Sequence, residues 1–155
     1  MIQQQTKATA FARRVVLPVC GFPGVGKSQA AKIHGWPDSD SSLFSWSSPG
    51  VKNPAWPGNY IDHLAALRGP VMVSTHEEVR EALHAAGIPF VLCYPSRDCK
   101  AEYIGRYRNR GSGDGFVALV ESHWDEWLEQ LENDAKAFRH FVLQAGQYAS
   151  DIRFE

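Results

Sequence analysis

The sequence predicts one three-layer α/β/α domain built on a five-stranded parallel sheet. Three observations lead there. Short apolar runs alternate with stretches of helical period, the pattern of a parallel sheet covered on both faces. The first apolar run, Val15 to Cys20, leads straight into a Gly-rich turn and then a helical stretch. The chain has 155 residues, a length suited to one domain with a full core.

The elements follow in order. Residues 1–12 are expected to be a loose leader, and Val15–Cys20 a buried strand. The helix after the Gly-rich turn spans Lys27–His34. Residues 41–58, rich in Pro and Ser, are expected to form a small irregular lobe. A helix over Pro57–Arg68 starts on its proline, aligns Ile61, Leu64 and Leu67, and stops at Gly69. Val71–Ser74 is a second buried strand. In the next helix Thr75 and Glu78 have capping-box spacing, Val79 and Leu83 face inward, and Gly87 follows the end.

Ile88–Tyr94 is a third strand, and a helix follows from Ser96 to Asn109. Residues 106–115, containing "RGSGDG", are expected to be a short lid. The long helix beyond it repeats Phe116, Val120, Trp124, Leu128 and Leu131 at helical spacing. Phe138–Gln144 is the last strand, and Gln147–Phe154 a closing turn or short helix.

Composition narrows the function classes. Apolar residues make up 44% and charged residues 21%, the balance of an ordinary globular protein. No apolar run approaches the roughly 20 residues that span a bilayer, so no membrane role is expected. The three cysteines lack metal-ligand spacing, which fits a reduced, cytoplasmic compartment, and Cys20 and Cys93 read as core. The six histidines form no zinc-site pair. A net charge of −1 gives no global attraction for nucleic acid. Locally, residues 97–110 carry five basic side chains and residues 121–134 six acids, which predicts one positive and one negative face. Nothing marks an obligate protein partner.

The turn "GFPGVGKS" fills every fixed position of G-x-x-x-x-G-K-[ST], and it lies between a strand and a helix, where a phosphate cradle belongs. The glycines let backbone N–H groups turn toward phosphate, and the helix N-terminus adds a favourable dipole. Gly21, Phe22, Pro23, Gly24, Val25, Gly26, Lys27, Ser28 and Gln29 are therefore expected to hold a nucleoside triphosphate. Lys27 would meet the β- and γ-phosphates, and the Ser28 hydroxyl Mg²⁺. The fold class is accordingly that of a P-loop NTPase. The chain lacks N-K-x-D, and "VMVSTH" ends in Ser74 and Thr75 rather than in an aspartate. Arg106 and Arg110, four apart beside a flexible turn, are placed to close over a transferring phosphoryl group. These features favour a small, nucleotide-kinase-like enzyme with a short lid.

"DSDSS" follows the cradle closely. In an extended chain Asp38 and Asp40 project to the same side. An alcohol acceptor must lose a proton as it is phosphorylated, whereas a phosphate acceptor is already ionised. A carboxylate pair thus points to a hydroxyl acceptor, with Asp40 as base and Asp38 holding Mg²⁺ through water or orienting Asp40. Trp36, Phe44, Trp46 and Trp56 crowd the acceptor lobe, where exposed rings would stack on an extruded base. His76 and Arg80, just beyond a strand end, are candidates for ligand contact.

The cradle followed by Asp-x-Asp is similar to the arrangement in shikimate kinases and polynucleotide 5′-hydroxyl kinases. More closely, "GFPGVGKS", "DSDSSLFSW", "PGNYIDHL", "VMVSTHEEVREAL" and "YPSRDCKAEYIGRYRNRG" together resemble a family of small bacteriophage P-loop kinases, from about Val15 to Asp151. Some members are 5-hydroxymethyluridine DNA kinases, acting in thymidine hypermodification. The resemblance implies Lys27 and Ser28 on ATP·Mg²⁺, Asp40 as base, Arg106 and Arg110 as lid arginines, and action in a host cytoplasm. It equally allows a nucleoside monophosphate kinase. A nucleotide-binding module or ATPase without transfer activity is the reading from another class.

Overall fold

The structure is a computed structural model that describes residues 15–39 and 41–154. The expected leader and Asp40 lie outside the described residues.

The sheet is set by the most apolar runs. Strand β1 (Val16–Gly21) is buried along its whole length, and the turn after it feeds helix α1 (Lys27–His34). A four-residue helix, α2 (Ser42–Ser45), leads to a short antiparallel hairpin of β2 (Trp46–Ser48) and β3 (Val51–Lys52). Helix α3 (Gly58–Ala65) buries Tyr60, Ile61 and Leu64, the spacing of one helical face. Strand β4 (Gly69–Ser74), helix α4 (Glu77–Ala85) and strand β5 (Val91–Pro95) follow. A 3₁₀ turn (Arg97–Cys99) opens α5 (Lys100–Asn109), and α6 (Asp114–Glu132) returns the chain to β6 (Arg139–Leu143). A second 3₁₀ turn, Ala149–Asp151, packs on α1.

The four long strands are parallel, in the order β4-β1-β5-β6. The chain leaves β1 toward β4, then crosses back to β5. Parallel crossovers are right-handed, so this reversal places α1 and α4 on opposite faces, consistent with three layers. It also makes the carboxyl ends of β1 and β5 the switch point where ligands enter such sheets. The core runs from Val19, Val73 and Leu92 in the sheet to Phe22, Tyr103 and Trp124 above it. Phe22 and Trp124 meet edge to face at 5.6 Å, and the Trp124 indole donates to Arg97 O at 2.8 Å. Burying a ring of this size is worth about 2–3 kcal/mol.

Three expectations are corrected. The sheet has four strands, not five, among the described residues; beyond β4 there is only a single parallel bridge between Asp38 and Met72, closed by Ser39 N–H to Met72 O and Met72 N–H to Pro37 O. Pro37 has no N–H, and a polar chain follows, so the edge does not extend as a ladder. The Thr75–Glu78 capping box does not form. His76 is the residue before α4 and no side chain caps it, because the Glu78 carboxylate is taken by Trp56 Nε1 (2.7 Å) and Lys52 Nζ (3.3 Å). Within the irregular lobe, the β2–β3 hairpin around Pro49-Gly50 was not foreseen, since its exposed strands carry no apolar alternation. Among the described residues, no helix is long and apolar enough to cross a membrane.

Candidate functional site

The turn between β1 and α1 is built by its two inner glycines. Gly24 and Gly26 have φ of +91° and +90°, values that favour glycine. Side chains there would also collide, Gly24 with Tyr107 Cε1 at 2.8 Å and Gly26 with Tyr148 Cδ1 at 2.9 Å. Tyr107 closes the turn from below, donating its hydroxyl to Pro23 O at 2.6 Å. Phe22 and Val25 are core residues, so their side chains anchor the turn. The first N–H groups of α1 have no acceptor within the helix.

A cleft of about 580 Å³ is lined by Gly24, Gly26, Lys27, Ser28, Gln29, Asp38, Arg106, Asn109, Arg110 and Tyr148. Lys27, Ser28, Asp38, Arg106 and Arg110, named from the sequence, therefore share one cavity. Gly21, Phe22, Pro23 and Val25 support it without lining it. Asn109 and Tyr148 were missed. Both lie far along the chain from the turn, and nothing local in the sequence marks them.

Charge in the cleft is unbalanced. The Lys27 ammonium donates to Gly21 O at 2.9 Å. Its burial pulls the pKa below the usual lysine value, Asp38 offsets part of this, and Arg110 adds to it. A half-buried cation facing one carboxylate and a second cation is a place for an anion.

The two arginines differ. Arg106 is clamped: it donates to Gly24 O (2.7 Å), Glu102 (2.7 Å) and Gln147 O (3.0 Å), and its guanidinium lies between the rings of Tyr103 (4.3 Å) and Tyr148 (3.9 Å). Arg110 is exposed, held by Ser112 Oγ at 2.9 Å and near the Tyr107 ring at 5.0 Å. Of the two, Arg110 is the exposed one that lines the cleft.

Among the described residues, no group of three His, Cys, Asp or Glu side chains is set to hold a metal. The donors at the cleft, the Ser28 hydroxyl and the Asp38 carboxylate, are hard oxygens. They fit a Mg²⁺ that arrives with phosphate ligands of its own rather than one caged by protein. Cys20 and Cys93 are buried, and burial pushes both thiols up to about 12, so they take no part at neutral pH.

The lobe aromatics separate in the same way. Trp36 stacks on His34, Phe44 packs on Tyr60 and His63, and Trp56 stacks on Tyr60. Trp46 alone of the four is 50% exposed, beside Leu43 and Pro49. Arg80 is buried in an ion pair with Asp134 and bonds Thr75 O, so it is not offered to a ligand, whereas His76 is exposed. The basic and acidic segments do not form separate faces: Arg97 pairs with Glu132 at 2.6 Å, and the cleft beside Lys100 and Arg108 also holds Asp98 and Glu121.

No protein-family model matches the chain, and no curated protein matches it. Among solved structures, it is similar to an uncharacterized protein from Eubacterium ventriosum, with a TM-score of 0.49 and 10% identity over 85% of this chain and 90% of the other. A likeness at that level carries no argument about function.

Proposed function

We propose that this protein is an ATP-dependent kinase that transfers a phosphoryl group to a hydroxyl acceptor. The acceptor we assign is the 5-hydroxymethyl group of 5-hydroxymethyluridine in DNA. The observation that carries this is the convergence of Lys27, Ser28, Asp38 and Arg110 on one cleft above a glycine turn. When bound, ATP·Mg²⁺ supplies the transferable phosphoryl group and a counter-ion for its oxygens. Lys27 and the first N–H groups of α1 bind the phosphates. Ser28 and Asp38 would hold the cation when it is bound. Asp40 accepts the proton of the acceptor hydroxyl, and Arg110 neutralises charge as it builds on the transferring group.

A nucleoside monophosphate acceptor is disfavoured by the lobe. Lys52 is the single Lys or Arg of residues 41–58, and it faces Glu78. A monophosphate would meet little positive charge there, whereas a base bearing a hydroxyl is itself neutral and need bring no phosphate into the lobe.

The test is Asp40→Asn, assayed with hydroxymethylated DNA and a nucleoside monophosphate side by side. Loss of a general base lowers transfer to DNA by roughly 10²–10⁴-fold with ATP binding intact. Full transfer to DNA by this variant removes the base assignment. Wild-type labelling of the monophosphate alone replaces the hydroxyl acceptor with a phosphate one.

A further inference from the structure

The irregular lobe carries a recess of its own, of about 450 Å³, whose lining shares no residue with the cleft over the glycine turn. Leu43, Trp46 and Pro49 supply its apolar surface, and Ser42, Ser47 and Ser48 its hydroxyls. Among the described residues no charged side chain lines it. Leu43 is 76% exposed and Trp46 50%. Exposed apolar side chains that gather in one place mark interaction sites.

The Trp46 backbone is held firmly while its ring is left open. Trp46 pairs with Lys52 across the β2–β3 hairpin, and Asn53 N–H donates to Ser45 O at 2.8 Å at the hairpin's base. Lys52 Nζ and Trp56 Nε1 both donate to the Glu78 carboxylate, which ties the hairpin to α4. Trp36, Phe44 and Trp56 each pack on another ring, whereas among the described residues no ring meets Trp46. A flat π face, apolar walls and neutral hydroxyls suit a flat, uncharged ring with a polar edge, which is a nucleobase. An ionised phosphate would find no cation there, since Lys52 is paired with Glu78 at 3.3 Å.

The recess also stands close to the chemistry. Asp38 lines the cleft and Ser42 lines the recess, four residues apart, so their Cα atoms are at most about 14 Å from one another. Asp40, assigned above as the base, falls midway between them in sequence. We propose that Trp46 is the stacking platform for the acceptor base. The base, out of its own stack, lies on the indole, with Leu43 and Pro49 as walls and the serine hydroxyls at its polar edge. The proposal rests on the hydroxyl-kinase reading and names the part of the lobe that holds the acceptor.

The test uses a single-stranded oligonucleotide with one 5-hydroxymethyluridine, and matched strands abasic at that position or at its neighbour. Tryptophan fluorescence is titrated without ATP, and the KM for the strand is measured in transfer. The intact strand and the strand with the abasic neighbour should quench wild-type fluorescence, and the strand abasic at the acceptor position should not. Trp46→Phe should keep most of the affinity and lose the quench. Trp46→Ala should raise the KM for the strand roughly 5–150-fold, the range for one lost base stack, with the KM for ATP unchanged. Its ligand-free melting temperature should stay near wild type, because the ring is half exposed. Trp46→Leu, which keeps apolar bulk without a π face, should resemble the alanine variant and serves if that one does not fold. A wild-type KM for the strand in Trp46→Ala or Trp46→Leu overturns the proposal and leaves the kinase reading standing. Quenching that survives loss of the acceptor base and disappears with its neighbour puts a flanking base on Trp46, which also overturns it. A dimer of the wild-type protein that Trp46→Ala disrupts gives the recess to a second copy, with the same consequence. Absence of transfer to the intact strand by the wild-type protein removes the kinase reading and the platform together.

Discussion

Lys27 is held where a lysine is least comfortable, desolvated and with a carbonyl as its bonded partner. Its pKa is lowered from 10.5, so between the folded value and 10.5 the unfolded chain binds more protons than the folded one. Ligand-free stability should therefore rise with pH through that window and carry the penalty below it. Lys27→Met should abolish that slope in thermal melts from neutral to alkaline pH. At pH 7 it should leave the ligand-free melting temperature equal or higher, yet eliminate the shift produced by ATP and lower transfer by at least about 10²-fold. A variant that melts lower and still responds to ATP would show that Lys27 is a structural residue.

The turn and α5 form one mechanical unit, since Tyr107 and Arg106 both grip the Gly-rich loop. Gly24→Ala should cost at least about 1–2 kcal/mol from its positive φ alone, with the clash against Tyr107 added, read as a fall in denaturation midpoint. Arg106→Ala should also destabilise, by roughly 2–3 kcal/mol, because it strips bonds from Gly24, Gln147 and Glu102 together. Arg110→Ala should leave stability nearly unchanged and lower turnover more than ATP affinity. Equal stability loss in both would mean that Arg110 too is part of the scaffold. The sequence alone made these two arginines equivalent, since helical spacing says nothing of Tyr148 or Gln147, which clamp one and not the other. Strands β1, β4 and β5 and the long α6 were legible because burial on both faces leaves apolar runs in these strands, and Val120, Trp124 and Leu128 repeat at helical spacing in the helix. The β2–β3 hairpin, the loss of the fifth strand and the diversion of Glu78 to Trp56 were not, because exposed pairs and long-range hydrogen bonds leave no period to read.

The molecule as a whole offers nucleic acid little charge. Net charge is −1, and Arg97 and Arg106 are spent on Glu132 and Glu102. Lys100, Arg108 and Arg110 remain in the basic segment, Arg110 alone of the three lining the cleft, so the slope of log affinity against log salt for DNA should be no steeper than about −3. A steep slope would point to a docking surface elsewhere. What the sheet does supply is a switch point at the ends of β1 and β5, beside the cleft that Lys27, Ser28, Asp38 and Arg110 line. Whether they perform transfer is decided by incubating the protein with γ-labelled ATP and Mg²⁺ against hydroxymethylated DNA, unmodified DNA, 5′-hydroxyl oligonucleotides and free nucleoside monophosphates. Label should enter the hydroxymethylated DNA alone. Label in the monophosphates only, or ATP consumed with no acceptor labelled, would contradict the assignment of a hydroxyl kinase.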